Sequence, residues 1–309
     1  MDHSQSIEII LPPKMTEPMP PRPSPSLTGK VAIVTGAGAA PNALGNGRAA
    51  AILLAEDGCA VVCVDLKLDL AQETVDMIKT ADGAGRGTGT AIAIVADVTR
   101  AEDCHRIVDL AVSTYGRLDI LVNNVGIMGA KGSAVDVDME TFMAGLRVNV
   151  ASMVQMAKYA IPVMEINEGQ CAGSIVNMSS VAGLRGGTPH ILYPTSKGAI
   201  VNMTRAMAAN HAPQRIRVNC VCPGMVYTPM MYSNGTGMSQ AERETRAARS
   251  LLKTEGNGWD VGSAVRFLAS DLARWVTGVI LPVDAGTTAA TGIGMQGLHT
   301  SNLTQVQEI

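Results

Sequence analysis

From Leu27 onward, short apolar runs alternate with longer amphipathic ones, and that alternation sets the expected architecture. Residues 30–35, 60–64, 91–96, 118–122, 174–179, 216–222 and 276–283 are rich in Val, Ile and Ala, the pattern of buried parallel strands rather than of strands with one wet face. Between them, 45–57, 69–81, a stretch beginning near Ala101, 138–166, 193–212 and 259–272 carry helical periodicity. The strand at 30–35, the helix closed by Gly58 and the strand ending at Asp65 make one βαβ unit with a right-handed crossover. The predicted fold class is α/β: one doubly wound parallel sheet flanked by helices, spanning 27–288.

Four segments fall outside this alternation. Residues 1–26 hold prolines at 12, 13, 18, 20, 21, 23 and 25, which remove backbone donors and favour polyproline II. They read as a disordered Pro-rich arm or as a ligand for a partner domain. The Gly-rich connection 83–89 offers no chemistry. Residues 229–258, rich in Gly, Ser, Met and charge, are expected to form a mobile lid over a ligand, because loops of such length are uncommon unless functional. The tail 289–309 is small and polar, and either is disordered or crosses a subunit boundary.

Composition narrows the possibilities. Of 309 residues 47% are apolar but only 3% aromatic, so the core is built from Val, Ile, Leu, Ala and Met. A net charge of −3 without a basic block gives no footprint for nucleic acid or an anionic membrane, which leaves a small molecule as the expected partner. The six cysteines show no C-x-x-C spacing and no metal-like His cluster. Cys220 and Cys222 alternate onto one strand face, as core residues in a reducing compartment. With no apolar run of eighteen and no secretory pattern at the start, the expected location is cytoplasmic.

Two stretches carry chemistry. The strand 174–179 delivers Ser180, and the helix opening near Tyr193 sets Tyr193 and Lys197 four residues apart on one face. A phenol ionises near 10, an adjacent ammonium favours the phenolate, and the reading is of a phenol thereby acidified for general acid–base work. Ser180 would hold the same substrate oxygen. Alone, Tyr-x-x-x-Lys is equally an ordinary surface pair.

The second stretch holds Gly36, Gly38, Gly45 and Gly47, between the first strand and its helix. Gly45-Asn46-Gly47-Arg48-Ala49-Ala50 fits G-x-G-x-x-[GA], with Asp65 twenty residues beyond Gly45. Such glycines let backbone N–H groups approach a pyrophosphate at a helix N-terminus, and the carboxylate takes ribose hydroxyls. A carboxylate there repels a 2′-phosphate, so NAD is favoured over NADP. Arg48 and Lys67 are nearby cations that could neutralise such a phosphate.

The order and spacing of these features resemble the short-chain dehydrogenase/reductase family over roughly residues 28–288. The resemblance implies a single Rossmann-type domain and further site residues. Asn123-Asn124-Val125-Gly126 is similar to the family's N-N-A-G, with Asn123 tying strands and Asn124 and Gly126 beside the cofactor. Asp97 and Val98 correspond to an adenine contact, though Asp97 is equally a cap for the next helix. Asn149 would hold a water linking Lys197 to solvent; as a bare residue it reads as packing. Pro223-Gly224-Met225-Val226-Tyr227-Thr228 resembles P-G-x-x-x-T, bringing Thr228 and the Val226 backbone to the carboxamide. Tyr193 and Lys197 would also reach the nicotinamide ribose.

One departure stands out. The family's turn spaces its first two glycines four residues apart, whereas Gly36 and Gly45 are nine apart, so 39–44 carries five extra residues that either loop over the adenosine phosphates or bulge into solvent. The implied activity is NAD(P)-dependent hydride transfer between nicotinamide and a secondary alcohol or ketone. A non-redox enzyme on the same scaffold (epimerase, dehydratase or cyclase) and a non-catalytic nucleotide sensor are the alternatives. Met128, Ala182, Leu184, Arg185, His190, Met230 and Met231 are expected near the substrate, with Arg185 or His190 meeting a carboxylate or facing solvent. The family's habits imply a homodimer or homotetramer.

Overall fold

The computed structural model describes residues 19–83, 87, 89–231 and 237–290. Most of the Pro-rich arm, part of the 83–89 connection, residues 232–236 of the expected lid and nearly all of the C-terminal tail lie outside the described residues. Residues 19–26 have no regular structure.

Seven strands, β1 (Val31–Thr35), β2 (Ala60–Asp65), β3 (Ala91–Val95), β4 (Ile120–Asn123), β5 (Gly173–Met178), β6 (Ile216–Pro223) and β7 (Ile280–Val283), form one sheet in the order β3-β2-β1-β4-β5-β6-β7. Every pairing is parallel. The strands are apolar on both faces because both are covered: every residue of β1, β4, β5 and β6 is buried. Alternation along β1 sends Ala32 and Val34 into one core with Leu54, Val61, Val265 and Leu268. Val31 and Ile33 enter the other, with Ile107, Leu121, Met156 and Ile175.

The covering helices are α1 (Asn46–Glu56), α2 (Leu68–Gly83), α3 (Ala101–Tyr115), α4 (Met139–Leu146), α5 (Ser152–Met164), α6 (Leu192–His211), α7 (Gln240–Ala247) and α8 (Gly258–Ala269). Because β1 pairs with both β2 and β4, the direction of sheet growth reverses between them, and a crevice opens beyond their carboxyl ends. Among the described residues no helix is long and apolar enough to cross a membrane.

Three elements differ from the periodicity reading. The helical run expected over 138–166 begins with Asp138 as its N-cap, but a π-helical turn, Arg147–Ala151, divides it into α4 and α5. The strand expected at 276–283 begins only at Ile280: the Val276 carbonyl is taken by Asn219 Nδ2 (2.9 Å), Thr277 Oγ1 accepts from the Val218 N–H (3.1 Å) and Gly278 turns left-handed at φ +72°. The expected lid contains α7, which a capping box between Ser239 and Glu242 starts and which two arginines pin through Glu255.

Candidate active site

The crevice at the switch point deepens into a cavity of about 510 Å³ that runs from Asp65 to Ser180, Tyr193 and Lys197. Gly36 leaves β1 at φ +64°, where a side chain is strained, and a Cβ on Gly47 would stand 2.1 Å from the Gly36 carbonyl oxygen. The first turn of α1 therefore lies directly against the loop after β1, which only glycine permits. That turn carries no acidic side chain, so its unpaired N–H groups and positive dipole end favour an anion.

Asp65 closes β2 and accepts from the Gly38 N–H (3.0 Å) and the Lys67 N–H (3.2 Å), which leaves carboxylate lone pairs for hydroxyls. Asp97 and Val98 line the same end. Asp97 does not cap α3: its Oδ1 accepts from Thr99, and the capping position belongs to Arg100. Asn124 lines the cavity, but its amide donates to the carbonyls of Thr35 (3.2 Å) and Gly36 (3.0 Å), locking the glycine turn to the end of β4. Asn123 ties β4 to β5 through Asn177 (3.0 Å). The glycine cradle, helix end and carboxylate fit a dinucleotide.

The 39–44 extension bulges outward. Ala40, Pro41 and Asn42 are exposed, and of the six residues only Ala39 lines the cavity. Arg48 is not available to a phosphate, since its wholly buried guanidinium is spent on the extension and on Glu73. Lys67 is exposed and does not line the cavity.

At the far end, Ser180 leaves β5 and caps a 3-10 turn, Val181–Gly183, its Oγ accepting from the Ala182 N–H (3.1 Å). Ser179 Oγ donates to the Lys197 carbonyl (2.7 Å), clamping α6 onto that turn. Lys197 is buried, donates to the Met178 carbonyl (2.9 Å) and lies 5.6 Å from the centre of the Tyr193 ring. Asn149, in the π-helical turn, accepts from the Ile127 N–H (2.8 Å) and donates to the Ile127 carbonyl (2.9 Å) and Ser196 Oγ (3.0 Å). Ser196 in turn donates to the Tyr193 carbonyl (2.8 Å). The fold thus gathers Asn149, Ser180, Tyr193 and Lys197 from three elements.

The protonation of this group corrects the sequence reading. Burial pushes the Tyr193 phenol above its ordinary 10, with the Ser180 hydroxyl pulling the other way, and the ammonium of Lys197 is not what tunes it. Burial also lowers Lys197 to about 8, opposed by the Cys220 and Cys222 thiols behind it. In the cofactor-free protein Tyr193 therefore keeps its phenolic proton at neutral pH.

The comparisons with known proteins match this geometry. A family model described as enoyl-(acyl carrier protein) reductase covers residues 38–288. The (-)-trans-carveol dehydrogenase of Rhodococcus erythropolis is 38% identical over 84% of this chain and 98% of its own length. The chain belongs to the short-chain dehydrogenase/reductase family. A solved structure from Burkholderia xenovorans assigned to this family is 37% identical, with a TM-score of 0.78 over 85% of this chain and 98% of the other. A 7 alpha-hydroxysteroid dehydrogenase in complex with NADH and 7-oxo glycochenodeoxycholic acid is 33% identical, with a TM-score of 0.74 over 85% and 95%. As a short-chain dehydrogenase/reductase, the protein is an NAD(P)-dependent oxidoreductase acting between a secondary alcohol and its ketone.

Other expected contacts of this dehydrogenase are placed unevenly. Pro223, Gly224, Val226 and Thr228 line the cavity, but the Val226 N–H donates to the Gly224 carbonyl (2.9 Å) and its carbonyl accepts from Arg246 (3.0 Å). A Cβ on Gly126 would lie 3.1 Å from Lys197 Nζ, so Gly126 gives that ammonium its room. Met230 and Met231 line the cavity, whereas Met128, Ala182, Leu184, Arg185 and His190 do not. Arg185 is tied to the Thr287 carbonyl (2.9 Å) and His190 Nδ1 accepts from the Gly132 N–H (3.0 Å). Sequence reasoning missed the walls Asn46, Ile127 and Val148. Each adjoins a residue it did single out, and that adjacency was the available signal.

Proposed function

We propose that the protein is an NAD-linked dehydrogenase of neutral, apolar secondary alcohols, with Ser180, Tyr193 and Lys197 as its catalytic group. The observation that carries this reading is one cavity with Asp65 at one end and the Ser180, Tyr193 and Lys197 side chains at the other. Gly36, Gly45, Gly47, Asp65, Asp97, Val98, Gly126, Pro223, Gly224, Val226 and Thr228 would hold the dinucleotide, with Asn124 fixing the glycine turn. The nicotinamide, when bound, supplies or accepts the hydride.

The chain's own residues handle the oxygen and its proton. Ser180 Oγ orients the substrate oxygen; Tyr193 gives its phenolic proton to a carbonyl oxygen during reduction and takes one from a hydroxyl during oxidation. Lys197 would bind the nicotinamide ribose. Asn149 holds the Ile127 backbone beside Gly126 and so keeps the floor of the site in place.

Preference for NAD is supported by Asp65 and by the commitment of Arg48 to Glu73, which among the described residues leaves no cavity-lining cation at the adenosine end. Asp65, Asp97 and Lys197 are the only charged side chains lining the cavity among the described residues, and Ile127, Val148, Pro223, Met230 and Met231 supply apolar walls. Carveol, for which one relative is named, fits that chemistry. The exposed Phe267 and Trp275, on α8 and just beyond it, support assembly as a homodimer or homotetramer.

The test is to follow reduced nicotinamide against a panel of ring and open-chain alcohols, with NAD and NADP side by side, for the native chain and Tyr193→Phe. Tyr193→Phe is expected to bind NADH within about threefold of the native chain while kcat falls by roughly 10²–10⁴-fold, the usual contribution of a positioned acid–base group. Full turnover by that variant would remove Tyr193 from the mechanism.

A further inference from the structure

We propose that Arg48 is a positioning residue for the dinucleotide: its buried guanidinium gathers the 39–44 extension outward, so that a glycine turn five residues too long still presents Gly38 and the first turn of α1 to the cavity. This rests on the reading that the cavity takes a dinucleotide. An arginine is almost never wholly buried without a task, and this one has 0% exposure.

The hydrogen bonds say what the task is. Arg48 donates to the carbonyls of Ala43 (2.7 Å), Ala39 (3.0 Å) and Ala40 (3.4 Å), all within the extension. It is anchored on α2 by Thr74 Oγ1 (3.0 Å), the Leu70 carbonyl (3.4 Å) and the Glu73 carboxylate (2.9 Å). The other Glu73 oxygen accepts from the Asn42 N–H (3.0 Å), so the same ion pair grips the extension from both sides. Thr74 also donates to the Ala37 carbonyl (2.8 Å), one residue from the Gly38 N–H that meets Asp65.

The extension is thereby pulled toward α2. Its last residue, Leu44, packs against the start of α8, where a Cβ on Gly258 would meet Leu44 Cγ at 2.8 Å. Without Arg48, the carbonyls of Ala39 and Ala43 would lose the donor they have here, while that of Ala40 would keep only the Ala43 N–H (2.9 Å), and a segment with unpaired carbonyls rearranges to find donors. Ala39, at the start of the extension, already lines the cavity, so a rearrangement there reaches it directly.

The test separates this role from plain stability by comparing two lengths of chain. Removing residues 40–44 brings Gly36 and Gly45 to a spacing of four and deletes most of what Arg48 serves. NADH binding is read by its fluorescence and folding by thermal melting, in the native chain, Arg48→Met, Arg48→Lys, Glu73→Gln, the shortened chain and the shortened chain with Arg48→Met.

In the full-length background Arg48→Met is expected to raise the Kd for NADH at least tenfold, with Glu73→Gln and Arg48→Lys between it and the native chain. In the shortened background the same substitution is expected to change Kd less than twofold. If full-length Arg48→Met does not fold while its shortened counterpart does, the assignment also stands. Equal losses in both backgrounds, failure of both to fold, or native NADH affinity for full-length Arg48→Met would overturn it. A native chain that binds no NADH at all would instead sink the proposed function.

Discussion

Tyr193 keeps its proton in the cofactor-free protein because burial disfavours the phenolate more than its neighbours favour it. A raised phenol pKa means that the stability contributed by the un-ionised ring is complete below 10 and is lost as pH rises past it. Lys197 titrates in the opposite sense, holding its charge below about 8 and shedding it above. An ultraviolet difference titration of the native chain against Tyr193→Phe, without cofactor, is expected to show no phenolate from this residue until pH exceeds 10. A phenolate band at neutral pH would mean that the ammonium, not burial, governs the ring. At this scale the pairing of Tyr193 with Lys197 was legible in the sequence because the two are four apart on one helix. Their protonation was not, because burial is conferred by distant strands and loops.

At the scale of elements, the site depends on how the turn after β5 seats on α6. Gly183 closes the turn that Ser180 caps, and a Cβ there would lie 2.5 Å from the Lys197 backbone carbonyl carbon. Backbone cannot yield as a flexible side chain does, so Gly183→Ala is expected to push the Ser180 turn off α6. We predict a fall in kcat of about tenfold or more with little change in NADH affinity, since the glycine cradle lies at the other end of the cavity. An unchanged kcat would show that Ser180 and Tyr193 need not be held in register.

The π-helical turn at Arg147–Ala151 is a device of the same kind, offsetting the helix locally so that Asn149 meets both backbone groups of Ile127. Periodicity alone reads 138–166 as one helix because a single wide turn barely disturbs the apolar pattern. The start of β7 was misread for the converse reason. Val276-Thr277-Gly278 looks like strand, yet apart from the Gly278 N–H, which donates to the Val218 carbonyl, its bonds to β6 run through side chains, those of Asn219 and Thr277 among them.

For the molecule as a whole, the two ends of the sheet have divided labour. The carboxyl ends hold the cavity, while the amino ends are tied by Asp119, whose carboxylate accepts from the Val31 N–H (3.0 Å), Lys30 (3.1 Å) and Arg117 (2.7 Å). Asp119→Ala leaves that N–H and two cations without their acceptor, a loss of roughly 2–4 kcal/mol. Chemical denaturation is expected to register that loss, while kcat per folded molecule at low temperature stays within about twofold of native. A comparable drop in kcat would mean that the two ends are mechanically coupled.

The sequence by itself determined what is local or periodic: seven apolar runs, the helices between them, the Gly-x-Gly turn, Asp65 at the end of its strand and the Tyr-x-x-x-Lys pair. Backbone hydrogen-bond geometry and the period of apolar positions fix those over a few residues, so they can be read along the chain. Tertiary structure decided what requires residues far apart to meet. It aimed the 39–44 extension outward by placing Glu73 and Thr74 beside Arg48, engaged Arg185 with Thr287 and His190 with Gly132, and raised the phenol by enclosing it. The common reason is that a side chain's partners and its access to water are properties of the packed molecule, which no window of sequence contains.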